Sequence, residues 1–166
     1  FLKNRIAYIL EDSGVPKDLA AAAISASADK IPEVWRRARA LHSLKSAPDF
    51  ESLAAAFKRV VNIIRKAKPE DLTSPYVKED LFADPAEKNL FESFLRANEN
   101  VSAHLSRGMI DGAFSEIAAL KPEVDVFFDT VLVMSEDADI RKNRLALLKQ
   151  ISDLFGRLAD FSRIST

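Results

Sequence analysis

The sequence contains no cysteine, only two histidines and only four glycines in 166 residues. Without cysteine, neither a disulfide nor a thiolate metal site can form. His42 and His104 lie far apart and lack the i, i+4 spacing of a helical zinc site. The four glycines are isolated, so no glycine-rich loop is available to bind phosphate. These absences disfavour a hydrolase or a metal enzyme, and we expect no catalytic residue and no metal site.

Long hydrophobic runs are also missing. No apolar stretch approaches the ~20 residues that a membrane-spanning helix needs, and no basic–apolar–small leader opens the chain. We therefore expect no membrane partner. The lack of cysteine suits a reducing compartment, and we expect a cytoplasmic location. The chain begins at Phe1 rather than at methionine, which predicts a fragment of a longer protein.

What the sequence does contain is a helical pattern over most of its length. Hydrophobic residues make up 48% and charged residues 30%, which is ordinary for a globular protein. Apolar residues recur at helical spacing with no convincing alternation, so we predict an all-α fold, a single helical bundle over residues 1–166. Residues 68–85 contain three prolines and are predicted to be a loop with short helical turns at most. The predicted helices cover residues 1–12, 16–28, a third around Val34–Leu44, 48–67, 85–107, 111–120, one opening at Pro122, and a last and longest one over 137–164.

Charge is unevenly distributed along the chain. The formal net charge of −1 argues weakly against a general nucleic-acid binder, which is usually basic. Residues 34–68, however, carry nine lysines and arginines against two acids, while acidic residues concentrate in 79–84 and 125–139. One face of a neutral protein can therefore be positive.

The predicted helix over residues 48–67 carries the clearest candidate site. With Phe57 at the centre of the buried stripe, a rotation of 100° per residue places Lys58, Asn62 and Arg65 on one flank. Arg59 and Lys66 are expected on the opposite, outward face. Such a flank offers cations to phosphates and one amide to a base edge. The alternative interpretation is an ordinary solvated helix face.

Two segments resemble a known family. Residues 56–63 read AFKRVVNI, and residues 124–148 read VDVFFDTVLVMSEDADIRKNRLALL. Together with residues 1–24, they resemble the C-terminal anticodon-binding (DALR-like) domain of the β subunit of bacterial glycyl-tRNA synthetase. The resemblance implies the helical bundle shared with arginyl- and cysteinyl-tRNA synthetases. It also implies tRNA(Gly) and the synthetase α subunit as partners, and no DNA. It places the ATP- and magnesium-dependent chemistry in the other subunit, so this chain is expected to need no cofactor of its own.

The resemblance turns the basic residues into candidate tRNA contacts. The invariant pair of a glycine anticodon is two cytosines, whose ring nitrogen and carbonyl accept hydrogen bonds. We predict base contacts from Asn62 and Arg65, and backbone contacts from Lys58, Arg36 and Arg37. Tyr76, in the proline-rich loop, is the candidate for stacking on an unpaired base.

Three more candidates, Arg141, Asn143 and Arg144, lie at the start of the last predicted helix. Positive charge there opposes the helix dipole, so another group must attract these arginines. That group is either an RNA phosphate or the neighbouring acidic cluster of Glu136, Asp137 and Asp139.

An alternative function from another class stays open, namely a non-catalytic helical module that binds another protein. The neutral net charge and mixed-sign surfaces fit this interpretation too. Salt dependence separates the two functions, because an RNA reader loses affinity steeply as salt is added.

Overall fold

Eight α-helices and three short 3₁₀ turns make up most of the described chain. A computed structural model describes residues 2–27, 31–46 and 50–164, and these ranges contain no β-strand. The all-α prediction is confirmed. The helices are α1 (Leu2–Asp12), α2 (Lys17–Ser27), α3 (Ile31–Lys45), α4 (Phe50–Lys66), α5 (Pro85–Ser106), α6 (Ile110–Ala118), α7 (Lys121–Thr130) and α8 (Ala138–Gly156), and the 3₁₀ turns are Pro69–Asp71, Glu79–Leu81 and Phe161–Arg163.

The helix ends follow local chemistry. α1 stops where Gly14 adopts a left-handed φ of 90°, a conformation that glycine accepts at little cost. At the start of α5, the Asp84 side chain accepts a hydrogen bond from the Ala86 N–H at 2.8 Å, and Pro85 occupies the first turn. The sequence of residues 46–49 resembles a helix cap ahead of α4, but residues 47–49 lie outside the described residues.

α4 is anchored in the core by aromatic packing. Phe57 is fully buried, and its ring lies 3.8 Å from Phe155 of α8 and 5.0 Å from Phe161, measured between centroids. The stripe predicted for this helix is mostly confirmed, because Phe50, Leu53, Phe57 and Val60 are buried whereas Val61 and Ile64 are half-buried. The buried side fixes which face of α4 points outward.

The last helix is shorter than predicted. α8 ends at Gly156, and α5, with 22 residues, is longer than its 19. Beyond α8 the chain turns back, so that the Asp160 N–H donates to the Ala22 carbonyl in α2 at 3.2 Å. Leu158, Phe161 and Ile164 are buried all the same. Their apolar spacing is the same as that of a continuing helix, so the sequence pattern predicted a last helix that is too long.

Candidate nucleic-acid interface

The outward face of α4 is a shallow cationic hollow. It has a volume of about 450 Å³ and is lined by Ala55, Lys58, Arg59, Asn62, Ile63 and Lys66. These residues are three or four positions apart, the spacing that places side chains next to one another on a helix. The expected separation of Arg59 and Lys66 from Lys58 and Asn62 is therefore wrong, since all four line one surface. We call this surface, together with the adjacent Arg65, the α4 face.

Asn62 and Arg65 interact with each other. The Arg65 guanidinium donates from Nη2 to the Asn62 Oδ1 at 3.0 Å. This contact uses one of the two acceptor positions of the amide oxygen. The Nδ2 group donates to no other described residue, so it is the part of the amide that is available to a ligand with acceptor atoms.

Arg59 is held by an aromatic ring. Its guanidinium lies 4.2 Å from the centroid of Phe128, a buried residue of α7. A cation over a ring at this distance is stabilised by the ring quadrupole by about 0.5–1 kcal/mol at an exposed site. The side chain is thereby directed along the seam between α4 and α7, and it keeps its charge at the surface.

Arg36 and Arg37 have different environments. Arg36 is exposed and lines a second hollow, of about 390 Å³, between α3 and the α5–α6 connection, together with Arg39 and Ser43. Its Nη1 lies close above Gly108, where an added Cβ would approach it to 3.1 Å. The structure does not bring Arg36 into the α4 face.

Arg37 is buried, with 6% of its surface exposed. It donates hydrogen bonds to the carbonyls of Arg157 and Leu158, the latter at 3.0 Å, and lies 3.5 Å from the Glu33 carboxylate. Burial lowers the pKa of Arg37 below its ordinary value, and Glu33 partly offsets that effect. Arg37 therefore joins α3 to the end of α8. The contact to the RNA backbone that the sequence predicts for Arg37 does not fit this geometry, because the guanidinium is buried inside the protein.

The three candidates at the start of α8 contact other parts of the chain. Arg141 donates from Nε to the buried Asp71 carboxylate at 3.0 Å and from Nη1 to the Ser135 carbonyl at 2.7 Å. Of the neighbouring acidic cluster, the Arg141 side chain reaches only the Glu136 backbone carbonyl, at 3.3 Å. That cluster is therefore not its ion-pair partner, and the second explanation offered by the sequence needs correction.

Asn143 and Arg144 complete this polar network. Asn143 is buried, and its amide accepts from the Lys78 N–H at 2.7 Å and donates to the Lys78 carbonyl at 2.9 Å. Arg144 donates from Nε to the Glu87 carboxylate and from Nη1 to the Leu132 carbonyl at 2.8 Å. The other Glu87 oxygen accepts from the Ala83 N–H at 2.7 Å. These donors and acceptors are used within the protein, and RNA contacts from this trio remain an untested prediction.

Tyr76 lies in the segment that this network holds, and 75% of its surface is exposed. The Ser74 hydroxyl donates to the Tyr76 carbonyl at 2.8 Å, across Pro75. The expected loop is confirmed, with only the turns Pro69–Asp71 and Glu79–Leu81 in it. The structure does not place Tyr76 in the hollow of α4.

Sequence reasoning missed the buried carboxylates of Asp71 and Glu87, which are 4% and 1% exposed. Glu87 had a local signal, its position in the first turn of α5, but nothing local marks Asp71.

Throughout residues 2–27, 31–46 and 50–164, no three His, Cys, Asp or Glu side chains form a group able to hold a metal. The described helices also include none that is long and apolar enough to cross a membrane.

The described chain is thus a helical bundle with a cationic, amide-bearing surface on α4. Residues 53–161 match the DALR anticodon binding domain, so the chain belongs to this family. The match includes most of α4 and all of α5–α8. It confirms the resemblance drawn from residues 56–63 and 124–148.

Several similar proteins carry the same name. The chain is 47% identical over 167 residues to the glycine–tRNA ligase beta subunit of Desulfatibacillum aliphaticivorans. It is 41% identical to those of Desulforapulum autotrophicum and Citrifermentans bemidjiense. Each alignment covers 99% of this chain but only 23–24% of the relative. The chain thus spans about a quarter of the length of these relatives.

Proposed function

We propose that this chain recognises the anticodon stem-loop of tRNA(Gly) as the anticodon-binding domain of a glycine–tRNA ligase β subunit. The observation that carries the proposal is the α4 face, a cationic surface with an amide hydrogen-bonded to Arg65, inside the region that matches the family. The relatives' shared name supports the choice of glycine.

The residues of the α4 face have different roles in this proposal, because their side chains differ in charge and in hydrogen-bonding groups. Lys58, Arg59 and Lys66 supply positive charge to the phosphates, which sets affinity and register rather than sequence preference. Asn62 presents its Nδ2 group, while its oxygen accepts a hydrogen bond from Arg65. A cytosine offers acceptors at its ring nitrogen and carbonyl, so an N–H donor of this kind suits it. Arg36 contacts the RNA backbone from its separate hollow.

The rest of the parent enzyme's activity is part of the same proposal. The adenylate and aminoacyl-transfer steps, with ATP and magnesium, belong to the α subunit, which this chain meets through the remainder of the β chain. The location is the cytoplasm. The family resemblance supports this division of labour, and the relatives' name supports a parent chain that is a glycine–tRNA ligase beta subunit.

Binding to tRNA transcripts at two salt concentrations tests the proposal. One transcript carries a glycine anticodon, and the other is identical except that both anticodon cytosines are replaced. If the α4 face neutralises about three phosphates, affinity should fall roughly 20- to 40-fold between 50 and 200 mM salt. Replacing the cytosines should weaken binding further. Salt-insensitive binding, or none at low salt, would favour the protein-binding alternative instead.

Point variants locate the contact. Asn62→Ala and Arg65→Ala should each weaken binding to the glycine transcript by about 1–3 kcal/mol and reduce discrimination between the transcripts. Lys88→Ala is the matched control, because Lys88 is an exposed cation of α5 that pairs with Glu92 and lies outside the α4 face. Equal affinity of all three variants for the glycine transcript would refute the assignment.

A further inference from the structure

The segment that carries Tyr76 is held at both ends by the start of α8. Asp71 is the last residue of the 3₁₀ turn Pro69–Asp71, which precedes the segment, and it pairs with Arg141 at 3.0 Å. At the other end, both backbone groups of Lys78 pair with the amide of Asn143. Because Asp71 and Asn143 are both nearly inaccessible to water, these bonds are protected from exchange with solvent and hold the segment firmly.

Between these two attachments, the segment exposes one large aromatic side chain. Tyr76 is 75% exposed, and none of the ring contacts in the described structure involves it. Pro75 and the Ser74 hydroxyl bond restrict the backbone on which it sits. An aromatic ring on an ordered backbone binds a flat partner with little loss of conformational entropy.

The charges beside Tyr76 indicate which kind of RNA group it takes. Lys78 is exposed, but so are the acids Glu79 and Asp80 of the following turn. Two carboxylates disfavour close phosphates, whereas the uncharged face of a base tolerates them. Base stacking on aromatic side chains is how unpaired RNA bases are commonly held.

We infer that Asn143 is a positioning residue that holds residues 72–78 so that Tyr76 stacks on an unpaired base of the bound RNA. The inference rests on the proposed function and adds a second contact region to the α4 face. It also gives two of the three candidates at the start of α8 a role, since Arg141 and Asn143 act on RNA through the segment rather than by touching RNA.

Affinity for the glycine tRNA transcript at low salt is the first measurement. Tyr76→Ala should weaken binding about tenfold, within the range expected for the loss of one stacked base, whereas Tyr76→Phe, which keeps the ring, should bind like the wild type. Asn143→Ala should also weaken binding. In the Tyr76→Ala background, however, Asn143→Ala should have no further effect, because the side chain that it positions is gone.

That non-additivity separates positioning from general destabilisation. A purely structural role for Asn143 would weaken binding equally in both backgrounds, and this result would overturn the inference. Circular dichroism at the assay temperature establishes that each variant is folded. Where Asn143→Ala does not fold, the isosteric Asn143→Asp carries the test, since it keeps the acceptor for the Lys78 N–H and loses the donor to the Lys78 carbonyl.

The two proposals can fail separately. If Asn62→Ala weakens binding and Tyr76→Ala does not, the further inference is wrong and the anticodon-binding function stands. If the wild-type chain does not distinguish the two transcripts of the salt experiment, the proposed function itself fails.

Discussion

Replacing Arg144 with methionine should destabilise the fold severely. Arg144 is 10% exposed and its partner Glu87 is 1% exposed, measured on the side chains. The substitution keeps much of the aliphatic volume and removes the guanidinium, so the Glu87 carboxylate stays buried with only the Ala83 N–H as a donor. Removing one partner of a buried ion pair costs about 3–5 kcal/mol, because the remaining charge is left uncompensated.

This loss is large compared with the stability of an ordinary domain, roughly 5–15 kcal/mol. For a chain of this length, each 1 kcal/mol lowers the melting temperature by about 2–4 °C, so Arg144→Met should melt roughly 6–20 °C below the wild type. Glu87→Gln keeps an oxygen for the Ala83 N–H and removes the charge. The double variant should therefore lose less stability than the two single losses added together.

Urea unfolding at neutral pH measures all four proteins of this cycle. A loss below about 1 kcal/mol for Arg144→Met would refute the reasoning, because that is the contribution of an exposed pair. Additive losses would also refute it. If Arg144→Met weakens tRNA binding at a temperature at which it is fully folded, Arg144 contacts the RNA directly, which is one of the two explanations that the sequence left open.

Other substitutions give expectations that can be checked in the same unfolding assay. Phe57→Ala should cost about 3–5 kcal/mol because it empties the aromatic centre under α4, and a loss under 1 kcal/mol would contradict that packing. At Gly112 an added Cβ would lie 2.5 Å from the His104 Nδ1, so the His104 ring opposes Gly112→Ala. In a His104→Ala background, which removes this clash, Gly112→Ala should stabilise the helix by about 0.5–1 kcal/mol. Equal effects of Gly112→Ala in both backgrounds would exclude the clash. At Asp160, burial raises the carboxyl pKa, but hydrogen bonds from Ser162, Arg163 and Ser25 outweigh it, and the net pKa is lowered. The stability that Asp160 contributes should then be present above its unfolded pKa, about 3.9, and disappear as pH falls through the lower folded value; an advantage over Asp160→Asn that does not change between neutral pH and pH 3 would contradict this.

Features set by neighbouring residues could be predicted from the sequence. The cap at Asp84, the glycine end of α1 and the apolar stripe of α4 all depend on residues within a few positions of one another. The predicted end of the last helix was wrong for a related reason. Periodicity records which side chains are buried, and it does not distinguish a continuing helix from a chain that turns back at Gly156 and buries Phe161.

The candidate site was predictable where it lies on a single helix. Lys58, Asn62 and Arg65 do share a region of α4, although Arg59 and Lys66 belong to the same surface. The environment of the three candidates at the start of α8 could not be predicted from the spacing along one helix. The partners of Arg141, Asn143 and Arg144 lie 70, 65 and 57 positions away along the chain, so no local pattern marks them.

The sequence by itself determined the helical class, most helix ends, the family and the cationic helix, because each depends on local spacing or on an ordered string of residues. Only the tertiary structure decided which polar side chains face solvent. A guanidinium or an amide is equally polar wherever it lies, and whether it meets RNA or a buried carboxylate depends on which distant segments the bundle brings together. For this reason Arg37 and Asn143 lie inside the fold while Asn62 and Tyr76 reach its surface.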